Sequence, residues 1–157
     1  MRQNITRNGL LLVSMLFVTL MTFGQNVTTG ADSGPGSLRD AIATANGNLG
    51  PDVITFDDNI TVMLTSGEIA VTEDLTITGG VNTVIDGSGN SGRMLNFIAG
   101  ITDVGSSITD VTFLNGTSAV TDNGGGAVFV DGSMAVAYTL TVDTCTFTGN
   151  DGSANNG

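Results

Sequence analysis

A right-handed parallel β-helix, all-β apart from a short N-terminal capping α-helix, is the fold this sequence predicts. Three observations predict it. The first is a recurring stretch. Val111-Thr112-Phe113-Leu114-Asn115-Gly116 has a counterpart in Cys145-Thr146-Phe147-Thr148-Gly149-Asn150, 34 positions later, and a looser one in Leu75-Thr76-Ile77-Thr78-Gly79-Gly80, 36 positions earlier. In each, two apolar side chains flank a threonine and then run into a Gly/Asn turn, as in a strand that buries one face and must then bend. Recurrence at a near-fixed period marks a repeated supersecondary unit. The second observation is a shared phase slip. Ile108, Val111 and Phe113 map onto Val142, Cys145 and Phe147, so the apolar spacing in both copies is three and then two. A spacing of three breaks strict alternation and bends each copy at the same place. A coil wound around a central core needs that bend; an antiparallel sandwich does not. Roughly 34 residues suit a coil of three strands and three turns, with coils ~4.8 Å apart and right-handed crossovers. The third observation is that only one amphipathic helix follows the leader, and it stands before the strands.

The elements follow in order. Residues 1–24 read as a signal peptide: Arg2 and Arg7 precede an uncharged run, Leu10–Phe23, and Thr22-Phe23-Gly24 supplies small residues at the two recognition positions. The run is shorter than the ~20 residues of a membrane span. Cleavage is expected after Gly24, leaving Gln25 first, and no cysteine stands nearby for a lipoprotein anchor. Residues 25–50 form the cap. Leu38, Ala41, Ile42 and Ala45 fall on one helical face, in a helix at about 37–46. Ser37 and Asp40 form an S-x-x-D capping box, and Asn46-Gly47 is a stop. The first coil of a repeat stack exposes apolar core and unpaired strand edge, and this face is suited to cover them. Residues 51–157 carry the alternating pairs Ile54/Phe56, Val62/Leu64, Ile69/Val71, Leu75/Ile77, Leu95/Phe97, Val128/Val130, Leu140/Val142 and Cys145/Phe147. Gly124-Gly125-Gly126-Ala127-Val128 opens a strand, and the position 34 residues beyond Gly124 falls just past Gly157. The spacing therefore predicts a coil region cut short, the N-terminal piece of a longer protein.

Composition narrows the chemistry. With Arg2 and Arg7 removed, Arg39 and Arg93 face 15 acidic residues and the net charge goes from −11 to −13. Nucleic acids and anionic lipid surfaces need clustered cations, so neither is an expected partner. The single cysteine, Cys145, excludes an internal disulfide; its phase makes it a small buried hydrophobe, and no histidine is present to act as its base. A lyase would need a cationic base, for which only Arg39, read as solvated on the cap helix, and Arg93 are available. A hydrolase needs two carboxylates about 5–10 Å apart. Asp110 and Asp143 are the closest to such a pair, but each sits where Asp commonly accepts turn N–H bonds. Asp57/Asp58 and Glu73/Asp74 read as turn and surface residues. The run Asp86-x-Ser88-x-Asn90-x-Gly92 resembles the opening of a calcium loop, yet Phe97 stands where the closing acid belongs. Gly124-Gly125-Gly126 lacks the Lys-Ser/Thr of a phosphate loop. No metal site, cofactor or catalytic set is expected. The mature chain has no Trp and one Tyr, and its Phe residues mostly take inward phases, so no aromatic sugar platform is expected.

With these residues set out, the chain resembles secreted right-handed parallel β-helix proteins of the polymorphic outer-membrane-protein repeat type. Phe147-Thr148-Gly149-Asn150 matches that family's Phe-x-x-Asn turn, and Gly125-Gly126-Ala127-Val128 its Gly-Gly-Ala-Ile-like strand start. After Phe113 the asparagine, Asn115, comes one place early. Ala31–Ile42, with Ser37-Leu38-Arg39-Asp40-Ala41-Ile42, looks like the Ser-Leu-Arg-x-Ala-Ile cap of large bacterial surface β-helix proteins. The resemblance covers residues 27–157. It implies export to the outer membrane, cell surface or medium, and an adhesin-like or stalk role without catalysis. It also implies partners among host or cell-surface glycans or proteins, reached through later coils. The alternative is the N-terminal part of a β-helix polysaccharide lyase or glycoside hydrolase whose active site lies on later coils. A third reading is an ice- or surface-binding face built from threonine rows such as Thr76/Thr78 and Thr139/Thr141. Against it, those threonines do not recur at one constant offset.

Overall fold

The computed structural model describes residues 24–98, 100, 105–118, 124–133 and 137–152. Apart from Gly24, the expected signal peptide lies outside them, as do residues 153–157. Twelve strands and one short helix are present among the described residues: β1 (Gly24–Val27), α1 (Leu38–Ala45), β2 (Asp52–Phe56), β3 (Thr61–Met63), β4 (Ile69–Val71), β5 (Leu75–Thr78), β6 (Val84–Asp86), β7 (Leu95–Ile98), β8 (Gly105–Thr109), β9 (Thr112–Leu114), β10 (Val128–Asp131), β11 (Thr139–Asp143) and β12 (Thr146–Thr148). They form three sheets, ordered β1-β2-β5-β8-β11, β3-β6-β9-β12 and β4-β7-β10. Every strand pairing is parallel. From β2 to β12 the chain visits the first, second and third sheet in unbroken rotation. One passage through all three sheets makes one round.

Alternation along each strand explains the core. Ile54, Val62, Leu64, Ile69, Val71, Leu75, Ile77, Ile85, Leu95, Phe97, Ile108 and Phe113 are buried, while their neighbours in the strands face out or half out. With Val27 and the apolar face of α1 they make one continuous hydrophobic cluster. Each such side chain contributes about 1.5–3 kcal/mol on burial, which is what holds three-residue strands in place.

The rounds are unequal, which corrects the near-fixed period. Asp52 pairs with Leu75, 23 positions on; Thr76 with Ser107, 31 on; Ser107 with Thr141, 34 on. Only the last step matches the interval read from the sequence. The looser copy at Leu75–Gly80 is not equivalent to Val111–Gly116. Leu75–Thr78 belongs to the first sheet and pairs with β8, whereas β9 is in the second sheet and pairs with β6. Any half-buried strand shows apolar–Thr–apolar alternation, so the pattern alone does not say which sheet a strand joins.

The corner from the first to the second sheet occupies residues 57–60, 79–83, 110–111 and 144–145 in successive rounds. Each contains one residue in the left-handed region: Asn59, Asn82, Asp110 and Thr144, with φ of 61°, 56°, 57° and 50°. The bend expected from the phase slip therefore falls at Asp110 and Thr144.

The N-terminal segment covers one edge of all three sheets. β1 pairs with β2 in the first. Gly30 O accepts from Met63 N (3.0 Å) on the second, and a Cβ on Gly30 would come within 2.0 Å of Thr61 O, so only glycine fits. On the third sheet, α1 packs against β4. The helix stays where the sequence places it because Leu38, Ala41, Ile42 and Ala45 are all buried. Its N-cap differs from the expected reciprocal box. Ser37 Oγ accepts from Asp40 N (3.2 Å), but Ser37 N–H donates to Gly34 O (3.1 Å), so Asp40 has no return bond to make there. At the other end Asn46 acts as a clamp: its Nδ2 donates to Ala70 O and its Oδ1 accepts from Thr72 N, both at 2.9 Å.

Candidate functional site

The first-to-second-sheet corner carries a cleft of about 560 Å³. It is lined by Asp58, Gly79, Gly80, Val81, Asn82, Thr83, Asp110, Val111, Thr112 and Thr144. It exists because the corner shortens from 79–83 in one round to 110–111 in the next. Gly79 and Gly80 are both in its lining. A Cβ on Gly79 would lie 2.1 Å from Asp110 O, and one on Gly80 would lie 3.0 Å from Asp58 Oδ1. Asp58 and Asp110 thus approach opposite residues of the Gly-Gly pair. Asp58 Oδ1 accepts from Val81 N (2.9 Å), and Asp110 Oδ1 accepts from the Thr144 hydroxyl (2.5 Å), which in turn accepts from Asp110 N (3.2 Å). Both carboxylates hold turns. Asp143 joins Asp110 only through its backbone, Asp143 O accepting from Asp110 N at 3.3 Å. The cleft was marked in the sequence only by the paired glycines after a strand.

The remaining residues singled out from sequence are placed as follows. Gly24 and Gln25 lie in β1, opposite Val53 and Ile54. Ile108, Val111 and Phe113 are buried. Val142 and Phe147 depart from the expected core position: they are 41% and 48% exposed. They hold the register of Ile108 and Phe113, and the Phe113 and Phe147 rings stack at 5.0 Å. Among the described residues no strand pairs on their other side, so one half of each environment is open. Cys145 is half-buried, its Sγ 3.6 Å from Ile108 O. Burial raises its thiol pKa, and the Asp110 and Asp143 charges add to the rise. It is protonated at neutral pH and a poor nucleophile. Asn115 and Asn150 serve different ends. Asn115 is left-handed (φ 57°), and its Nδ2 donates to Asp86 Oδ1 at 3.3 Å. Asn150 reaches back one round, donating to Phe113 O (2.9 Å) and accepting from Gly116 N (2.8 Å). Gly125 takes φ 72°, and a Cβ on Gly126 would meet Asp151 O at 2.3 Å, so the glycine run serves close packing at the opening of β10.

Of the two arginines, Arg39 departs from the solvated position expected for it. Arg39, expected in solvent, pairs with Asp32 (2.9 Å) and donates to Gly67 O and Glu68 O at 2.9 and 3.0 Å. It ties the cap helix to the start of β4. Burial raises the Asp32 pKa, but hydrogen bonds from Ser66, Arg39 and Thr65 outweigh it and leave the carboxyl below its usual range. Arg93 is 6% exposed, ion-paired with Glu68 (2.9 Å) and seated 4.2 Å over the Phe129 ring. Glu68 also accepts from Asn96 Nδ2 (3.0 Å). For Asp86 the order is the same as for Asp32: burial raises its pKa, while Ser88 and Asn115 hydrogen bonds more than cancel it. Among the described residues no three His, Cys, Asp or Glu side chains are grouped to hold a metal ion, and no helix is long and apolar enough to cross a membrane.

No protein-family model, no curated protein sequence and no solved structure matches the chain.

Proposed function

We propose that this chain is the N-terminal part of an exported bacterial surface or secreted protein. In this reading the rounds wind as a right-handed parallel β-helix with a non-catalytic, adhesin-like or stalk role. The observation that carries the reading is how the charged side chains are used. Arg39, Asp32, Arg93, Glu68, Asp58, Asp86 and Asp110 each hold a turn, a cap or a neighbouring round. A catalytic carboxylate or base has to reach substrate to move a proton; here Arg39, Asp58 and Asp86 hold main-chain atoms, Arg93 and Glu68 hold each other, and Asp110 holds the Thr144 hydroxyl. Parallel sheets visited in rotation, with one set of edges covered by α1 and its flanks, also suit a rod that extends in one direction. Right-handed crossover is the general preference of parallel strands.

Two experiments test this. Expression with the native leader in a bacterial host, followed by N-terminal sequencing of the exported product, should return Gln25 as the first residue; retention in the cytoplasm would overturn export. The complete gene product should bind cell-surface glycans or proteins without degrading polysaccharide. Turnover of a polysaccharide, abolished by substituting carboxylates on later rounds, would favour the lyase or hydrolase alternative instead.

A further inference from the structure

We infer that the outer face of the first sheet is a hydroxyl lattice that binds ice. The unequal rounds conceal it in the sequence. Register brings Thr55, Thr78 and Thr109 into one column, although they lie 23 and 31 positions apart. It brings Thr76, Ser107 and Thr141 into a second, with steps of 31 and 34. The irregular spacing of these threonines in the sequence is therefore no objection to a regular face.

Together β2, β5, β8 and β11 present a grid of two by four outward positions, from Val53/Thr55 to Thr141/Asp143. Six of the eight carry a hydroxyl. The exceptions, Val53 and Asp143, stand at opposite corners. Buried neighbours on both sides of Val53 and Thr55 in β2, Thr76 in β5 and Ser107 in β8 fix the outward direction of the row. Adjacent members touch: Ser107 Oγ donates to Thr76 Oγ1 at 3.3 Å. Strands lie ~4.8 Å apart and alternate residues ~6.6 Å apart, so the hydroxyls repeat in two dimensions. Threonine is stiff at χ1, so little side-chain freedom is lost when the face is occupied.

Charge selects the occupant. In a chain with 15 acidic residues, only one of the eight positions is acidic, and it is at a corner. The face has no cation for an anion and no aromatic ring for a sugar. What it offers is an array of O–H groups interleaved with methyl groups, bounded by Asp143 at one corner and by Asn26, which accepts from the Thr55 hydroxyl at 3.0 Å, at the β1 edge. Its complement is a solid whose own surface is a two-dimensional array of O–H groups held at fixed spacing. Ice is that solid. The second sheet has no such grid, since Met63, Val84, Asp86 and Leu114 interrupt its threonines.

The test is inhibition of ice recrystallisation by the exported protein, with circular dichroism and melting curves confirming that each variant folds. The wild type should inhibit. Thr78→Lys, at the centre of the grid, and Thr109→Lys, one strand over, should each need about tenfold more protein for the same effect. Thr146→Lys, exposed on the second sheet, should match the wild type. The proposal is overturned if the wild type leaves ice growth unchanged, or if Thr146→Lys loses as much as Thr78→Lys. Retention of the wild type on crystalline cellulose without any effect on ice would overturn it as well.

Discussion

The first and last described strands of the three-sheet body share one pattern and differ in what lies against them. At the N-terminal end, β1, the Gly30 segment and α1 lie against the first, second and third sheets, and Arg39 and Asn46 tie the helix to main-chain atoms next to and within β4. Val27, Leu38 and Ile42 are fully buried there. At the other end, β10, β11 and β12 have partners on one side only among the described residues, and Val130, Val142 and Phe147 are 38–48% exposed. The same inward phase thus gives a buried side chain at one end and a half-exposed one at the other. Inward direction is set by local alternation; burial is set by whether a second strand lies alongside.

Substitutions can break or sharpen this contrast, and the largest effect belongs to a stacked aromatic pair. Phe113→Ala empties a fully buried site and should cost about 3–5 kcal/mol, while Phe147→Ala, half-exposed in the same column, should cost roughly 1–2 kcal/mol. Urea denaturation of both variants measures the difference, and equal losses would mean that Phe147 is covered in solution. Next comes the cap. Ile42→Ala should cost about 2–5 kcal/mol, and Arg39→Met, which strips the carbonyls of Gly67 and Glu68 of their donor, about 1–3 kcal/mol. Hydrogen exchange should show both losses concentrated in β1 and β4 and absent from β11.

Acid should act more weakly. Asp32 and Asp86 have folded pKa values below the usual 3.8, so folding binds fewer protons than the unfolded chain near that value. Their stabilisation is complete above about pH 4 and is lost as pH falls through the lower folded values. Asp32→Asn should remove part of that acid dependence, read from melting temperatures at pH 7 and pH 3. Smallest of all is Thr144→Asn. A β-branched residue at φ 50° is strained and asparagine tolerates that region, but the bonds of the Thr144 hydroxyl with Asp110 are lost, so the two effects offset and the net change should stay within about 1 kcal/mol.

What could be read from the sequence was local. The helix from Ser37 to Asn46, its buried face and the alternating pairs follow from periodicities of 3.6 and 2, which neighbours in the chain set. The bends at Asp110 and Thr144 were legible because two copies shared the same slip. The pairing partners were not. Leu75–Gly80 resembled Val111–Gly116 closely enough to be matched with it, yet the sheets are filled by strands 23 to 34 positions apart, a choice made by packing across the core. The cleft at Gly79-Gly80 depends on one corner being longer than the next, which no single corner reveals. Arg39 was misplaced for the same reason, since it meets Gly67 and Glu68 through contacts distant in sequence, and the seat of Arg93 over Phe129 was hidden in the same way.

The passage from the second to the third sheet grows from residues 64–68 to 87–94 to 115–127, while the paired registers on either side stay intact. Each passage keeps a buried end against the core, Leu64, Met94 or Ala127, and the extra length lies in the rest of the passage, where the cost of a longer loop rises only slowly with its size. This edge of the molecule is a natural place to graft a foreign peptide, which the sheets on both sides would hold without being remodelled by it.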